Sequence, residues 1–382
     1  MRFNPALERL STYPFVALED AKRQAAERLG ELIDFGVGDP AEITPGFIRR
    51  TLVESIAERS TYPKAAGLPE TRAAIANWYR RRFGVEVDPD TEVLPSSGSK
   101  EAIFGLAQVA VDRSADKNLV AITQPGYPIP LRGAELNGCR TLVLPLREDR
   151  GFVADLEAID EDTWSRIAVF WINYPNNPTG AVAPLNFFEE LASKAIEHDF
   201  LLASDEAYSE IYFAGPPHSA LEVPDRRNVV AFNTLSKRSA MTGYRSGSIV
   251  ADERVIAMLK RYRPLAGTAS PEFIQRAAAA AWSDDAHVDE VRAIYRAKRD
   301  VIEPFLAKKG LRKAGSEATF YLWVASPAGE SADAFARRLL DRGVVVSPGT
   351  FFGESATDYF RMALVPTLEQ CNRAVELLDD TI

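Results

Sequence analysis

Two cysteines and three histidines are all that 382 residues contain, and this scarcity removes several kinds of chemistry at once. Cys139 and Cys371 lie far apart and in no CxxC spacing, so neither a disulfide framework nor a thiolate metal site is expected. His198, His218 and His287 are scattered without partners at ligand spacing, and no metal is expected. No stretch approaches the roughly 18 apolar residues of a membrane helix, and the opening MRFNPALERL lacks a basic segment leading into an apolar run. A cytoplasmic chain with no membrane partner is the expectation. Basic residues are outnumbered, 45 against 54 acidic ones, for a formal charge of −9. That balance argues against nucleic acid, whose phosphates need unopposed clusters of cations, and in favour of small-molecule partners.

What is present describes a globular chain long enough for two domains, 46% hydrophobic and 26% charged. Short β-branched or aromatic runs alternate with amphipathic stretches of helical length, the pattern of an α/β fold with a mostly parallel sheet. Strands are expected at 119–122, 167–172, 200–203, 229–233 and 247–250. Each ends in a polar or Gly/Pro-containing segment, and loops at the carboxyl ends of such strands are where ligands collect. Apolar residues at Val288, Val291, Ile294, Tyr295, Val301, Ile302 and Phe305 predict a helix over 287–309 that links two domains. Beyond it, strands at 319–324, 344–346 and 359–364 around a helix at 332–342 suggest a smaller α+β unit. The five alanines of 277–281 read as a packed helix rather than a linker.

The segment T-L-S-K-R-S-A-M-T-G-Y-R-S-G, residues 234–247, follows a strand and is crowded with hydroxyls, glycines and two separated cations. Lys237 can condense with an aldehyde if burial and a neighbouring cation keep its amine neutral. Arg245 offers a planar fork suited to a phosphate, and Thr234 adds a hydroxyl. A second segment, N-Y-P-N-N-P-T-G at 173–180, is too rich in proline to continue as strand and can fix Asn177 toward a ligand oxygen. After the next strand comes S-D-E-A-Y, with Asp205 and Tyr208 at the strand end. A carboxylate there can keep a pyridine nitrogen protonated, which makes the ring an electron sink. The plainer alternatives are a surface loop, a turn, a helix N-cap and a core aromatic.

With these segments in this order, the chain resembles over nearly its whole length the class I/II aminotransferases of pyridoxal phosphate (PLP) fold type I, the aspartate aminotransferase superfamily. The resemblance implies a large PLP-binding domain at 42–284 and a small domain built from 1–41 and 285–382. It implies Lys237 as the Schiff-base lysine, Asp205 as partner of the pyridinium, Tyr208 and Asn177 as donors to the phenolic oxygen, and Arg245 as a phosphate anchor. In P-S-S-G-S-K-E-A it points to Gly98, Ser99 and Lys100 as a phosphate-cradling turn, and in Q-P-G-Y-P to Tyr127 as the aromatic stacked on the cofactor ring. F-G-V-G-D-P places Gly38 beside the substrate, and Y-F-R-M places Arg361 at its α-carboxylate. T-Y-P-K-A-A-G-L-P-E corresponds to a segment whose tyrosine, here Tyr62, reaches the phosphate of a neighbouring subunit, implying a homodimer with shared active sites. Thr234 stands where the family usually has serine.

Within the family, N-P-A-L-E-R-L-S-T-Y-P-F and G-S-K-E-A-I-F look most like N-succinyl-LL-diaminopimelate aminotransferases of lysine biosynthesis. The activity implied is transfer of an amino group from an amino acid such as glutamate to N-succinyl-2-amino-6-oxopimelate. Relatives acting on aspartate, alanine or LL-diaminopimelate share most of these motifs. Lys64, Lys100 and Arg132 are candidates for a distal substrate carboxylate, beside their plainer reading as surface charges. A lyase of the same fold would need the same Lys237, Asp205 and Arg361. A DNA-binding sensor is disfavoured, since too few residues precede Gly36 to hold a helix-turn-helix.

Overall fold

The computed structural model describes residues 1, 5–9, 14–59 and 61–379, so the opening string at 4–15 lies partly outside the described residues. A two-residue strand, β1 (Ile33–Asp34), comes first. A seven-stranded sheet follows, built from β2 (Val93–Ser96), β3 (Leu119–Gln124), β4 (Arg140–Pro145), β5 (Ile167–Asn173), β6 (Leu201–Asp205), β7 (Val229–Thr234) and β8 (Gly247–Ala251). Its spatial order is β2-β8-β7-β6-β5-β3-β4, with every neighbouring pair parallel except the two that β8 makes.

Side chains on both faces of these strands are buried. Phe170, Ile172, Leu202 and Ala231 pack into one cluster with the helix Leu185–Glu197, through Phe188 and Leu191. Val169, Trp171, Ala203 and Phe232 pack on the other face with Ile103 and Leu106 of the helix Ser99–Ala110. Double burial is why the strands read as near-continuous apolar runs rather than alternating ones. The polyalanine stretch is helical, within Glu272–Trp282, and buries Ala277, Ala278 and Ala281.

The long helix spans Ala286–Lys308, one residue earlier at each end than its periodicity predicts, and leads to the second unit. There β9 (Tyr321–Ala325), β11 (Ser347–Pro348) and β12 (Tyr359–Ala363) form a three-stranded antiparallel sheet, while β10 (Val344–Val345) pairs in parallel with β1. Residues on β9 and β12 alternate in the way pleating requires. Leu322, Val324, Phe360 and Met362 join the apolar cluster of the helices Ala332–Leu340 and Leu368–Asp379. Trp323 packs instead with the large sheet's cluster, and Arg361 sits directly opposite it. The alternation therefore turns Arg361 toward the seven-stranded sheet.

Candidate active site

The functional motifs converge along one edge of the large sheet. Ser96, Thr234, Asp205, Asn173 and Gln124 end the parallel-running strands β2, β7, β6, β5 and β3, and antiparallel β8 begins beside Thr234 at Gly247. The loops leaving these ends surround a cavity of about 190 Å³. Nine of the residues singled out above line it: Ser99, Lys100 and Tyr127, Asn177, Asp205 and Tyr208, and Thr234, Lys237 and Arg245.

At the floor, Asp205 is 4% exposed and its carboxylate accepts from the Ala207 N–H at 3.2 Å. Burial lifts its pKa to about 7, against the opposing pull of that hydrogen bond and of Lys237. Burial likewise depresses the Lys237 amine to about 8, with Asp39 resisting and Arg361 and Arg245 assisting. The Lys237 Nζ donates to the Gly38 carbonyl at 2.6 Å. A carboxyl group raised and an amine lowered in one cavity make it a candidate site for proton transfer near neutral pH.

Two asparagines at strand ends hold this geometry. Asn173 donates from Nδ2 to the Asp205 carbonyl at 2.8 Å and accepts the Asn177 N–H at 2.8 Å. Asn233 donates to the Glu206 carbonyl and to Ser209 Oγ at 2.8 and 2.7 Å, and accepts the Thr234 N–H at 2.8 Å. Each joins a loop to the neighbouring strand end, which limits the freedom of Asn177, Asp205 and Thr234.

The other end of the cavity is built for an anion. Gly98 caps the twelve-residue helix Ser99–Ala110 at φ 76°, a left-handed value that glycine adopts without strain, and as a glycine it brings no side-chain cap of its own to the first amides. A Cβ on Gly98 would stand 2.5 Å from Arg245 Nη2, so glycine is also what lets the guanidinium close over the helix start. Thr234, Ser236 and Thr242 bring hydroxyls to the same cavity. Part of Thr234's capacity is used locally, since its Oγ1 accepts the Ser236 N–H at 3.2 Å and lies 3.1 Å from the Ser246 carbonyl. The pKa of Lys100 is lowered by partial desolvation and by Arg245.

Gly38 and Arg361 are one contact removed from the cavity lining. Arg361 is 2% exposed, donates to Asn177 Oδ1 at 2.9 Å and to the Gly36 carbonyl at 2.7 Å, and lies under the rings of Tyr321 and Phe352. The loop carrying Gly36 and Gly38 is anchored beyond them by Glu42, which accepts from Tyr295 at 2.9 Å and pairs with buried Lys298. Tyr62 is 99% exposed and outside the cavity. Lys64 is exposed as well, and Arg132 pairs with Glu135 at 3.0 Å. Asp39, Ala207, Ser236 and Thr242 line the cavity without having been singled out, although all four fall inside or beside the quoted strings. Tyr321, whose hydroxyl is 2.7 Å from that of Tyr208, has no such motif around it.

A cradle of helix amides, hydroxyls and a guanidinium at one end, a buried carboxyl at the other and a low-pKa amine between them complement a phosphate, a protonated ring nitrogen and an aldehyde. The donor set therefore fits pyridoxal phosphate. Comparison with known proteins agrees. The family "Aminotransferase class I and II" matches residues 30–378. The LL-diaminopimelate aminotransferase of Nitratidesulfovibrio vulgaris (strain DP4) is 38% identical, covering 96% of this chain and 97% of its own. That of Dehalococcoides mccartyi (strain CBDB1) is 37% identical over 99% and 98%. A solved structure of a probable N-succinyldiaminopimelate aminotransferase from Thermus thermophilus superposes with a TM-score of 0.89 at 31% identity, over 96% of this chain and 100% of that one. The chain belongs to the class I and II aminotransferases, enzymes that work with pyridoxal phosphate.

Proposed function

We propose that this aminotransferase moves an amino group from glutamate to the 6-oxo carbon of a 2-amino-6-oxopimelate skeleton, forming a diaminopimelate. Relatives named for LL-diaminopimelate, at 37–38% identity over nearly the full chain, carry this reading and favour the free 2-amine over the N-succinyl form that the opening string suggests. Bound pyridoxal phosphate supplies an aldehyde with which amines condense and a ring that draws electrons from the substrate α-carbon. Lys237 would hold the cofactor through that aldehyde and, once free, would move a proton from the α-carbon of the amino donor to the cofactor carbon that bore the aldehyde, and from that carbon to the α-carbon of the acceptor in the second half-reaction, a task helped by an amine pKa near 8. Asp205 holds a proton on the ring nitrogen, while Tyr208 and Asn177 face the ring oxygen and Tyr127 the ring.

The backbone amides of Gly98, Ser99 and Lys100, together with Thr234 and Arg245, hold the phosphate. Arg361 takes the substrate α-carboxylate in exchange for its present acceptors, with Gly38 alongside. Lys237 and Asp205 lie in the large domain, taken as 42–284, and Arg361 in the small one, taken as 1–41 with 285–382. Tyr62, fully exposed here, completes the site of a second copy in a homodimer. Lys100 is the one of three candidate cations that lines the cavity, and we assign its side chain to the distal carboxylate. The test is a panel of acceptors with glutamate as donor, comparing 2-amino-6-oxopimelate, its N-succinyl derivative, oxaloacetate and pyruvate. Turnover confined to oxaloacetate or pyruvate would remove the substrate assignment, and consumption of the amino acid without 2-oxoglutarate would point to a lyase. Lys100→Gln should raise KM about tenfold or more for the dicarboxylic acceptor and little for pyruvate, the scale of one charge-assisted pair. A loss of cofactor affinity instead would assign the Lys100 side chain to the phosphate.

A further inference from the structure

Tyr321 meets several site groups from one position on β9, although it is 2% exposed and outside every motif. Its hydroxyl lies 2.7 Å from that of Tyr208. Its ring covers Arg361, with 4.1 Å between the ring centre and the guanidinium carbon. A Cβ at residue 38 would stand 2.1 Å from the Tyr321 hydroxyl, so a glycine is required for the loop whose carbonyl receives Lys237 to pass over this tyrosine. Strand register produces the arrangement: Tyr321 is opposite Ala363 and Trp323 opposite Arg361, which puts Tyr321 and Arg361 diagonally adjacent on one face.

A phenol has one hydrogen to donate. If Tyr208 spends its own on the ring oxygen of the cofactor, the donor in the 2.7 Å contact between the two tyrosines must be Tyr321. A hydroxyl that accepts a hydrogen bond becomes a stronger donor through its own proton. From this geometry we infer that Tyr321 is a positioning residue with two separable actions: its hydroxyl orients and strengthens Tyr208 as a donor to the cofactor, and its ring holds the Arg361 guanidinium for the substrate carboxylate. The inference rests on the roles proposed above for Tyr208 and Arg361.

Tyr321→Phe removes the first action and keeps the second; Tyr321→Leu removes both. The readouts are the pH midpoint of the visible absorption of holoenzyme and the separate kcat and KM values. A donor to the ring oxygen favours the deprotonated form of the chromophore, whose oxygen carries more negative charge. Weakening the donor therefore moves the midpoint upward. Tyr321→Phe should raise it by roughly 0.3–0.6 pH units while KM stays within about twofold, and Tyr321→Leu should add a severalfold increase in KM through loss of the cation–π contact. In a Tyr208→Phe background, Tyr321→Phe should produce no further change in the midpoint, a comparison that holds even if single variants differ in stability. A fixed midpoint in Tyr321→Phe, or an equal change with and without the Tyr208 hydroxyl, overturns the inference while leaving the proposed function intact. A wild-type protein that develops no visible absorption with pyridoxal phosphate overturns both.

Discussion

Replacing Asp205 with Asn should make the cofactor-free protein more stable and the enzyme worse. Asp205 is almost fully buried, and burial raises its carboxyl from 3.8 to about 7. In the folded protein the group thus holds its proton more tightly than in the unfolded chain. The stability linked to that proton is fully present below about pH 4 and is lost as pH rises through about 7. A lift of about three pH units corresponds to about 4 kcal/mol at 1.36 kcal/mol per unit. Asparagine has the same shape, carries no charge and keeps an oxygen for the Ala207 N–H, so it escapes this loss. Measured by thermal unfolding without cofactor, the advantage of Asp205→Asn over wild type should be near its full size, several degrees, at pH 8 and shrink to about a third at pH 5. With cofactor bound, the carboxylate is opposed by a ring nitrogen proton and the order should reverse, with kcat falling and KM for pyridoxal phosphate a minor part of the loss. An apo variant no more stable than wild type at pH 8, or equally favoured at both pH values, would refute the claim that Asp205 is a charge stored at a cost for the cofactor.

Lys237→Ala should abolish turnover while the protein still binds pyridoxal phosphate without a covalent bond; borohydride reduction of wild type should fix the cofactor on Lys237, and labelling at another lysine would refute the assignment. Because the amine is depressed to about 8, condensation of the cofactor-free protein with an added aldehyde should accelerate as pH rises through about 8, well below the range of an exposed lysine. Arg361→Lys keeps the charge but not the planar fork that serves both a donor and an acceptor carboxylate. Loss of such a pair in a desolvated pocket costs about 2–5 kcal/mol, so kcat/KM should fall roughly 30-fold or more in both half-reactions, with little change in cofactor absorbance. Wild-type rates in either half-reaction would place the carboxylate elsewhere.

The central strands were readable because both of their faces are buried, which leaves apolar runs bounded by polar ends. The two strands of the large sheet that the pattern misses differ in this respect. β4, at the edge of the sheet, buries only Leu144 fully and is bracketed by the exposed Arg140 and Pro145. The four residues of β2 include Pro95, a residue suited to sheet edges and uninformative as a strand signal. The strand expected to start at Thr319 begins at Tyr321 instead, because Thr319 adopts φ 68° and turns the chain before the ladder starts. Such a value in a β-branched residue is set by its surroundings, here by a hydrogen bond from its N–H to the Ile211 carbonyl.

The site divides along the same line between local and distant information. Lys237, Arg245, Asp205, Tyr208 and Asn177 sit in strings where hydroxyls, glycines and prolines gather just after an apolar run, and a loop at a strand end is a local feature that composition reveals. Tyr321 is a strand residue among other apolar strand residues, and nothing in the neighbouring sequence distinguishes its hydroxyl from that of a core tyrosine with an exposed tip. Its importance arises from register: one residue of slip between β9 and β12 would send its ring to the opposite face, away from Arg361. Asn173 and Asn233 are intermediate, visible in the quoted strings or next to them but meaningful only once parallel pairing sets β5 and β7 on either side of β6. The contacts that set the site's geometry are therefore carried by pairings between strands far apart in sequence, while the groups proposed to touch the cofactor are carried by short segments. For the same reason, a substitution at Tyr321 should act through Tyr208 and Arg361, and its effects should be judged by what happens to them.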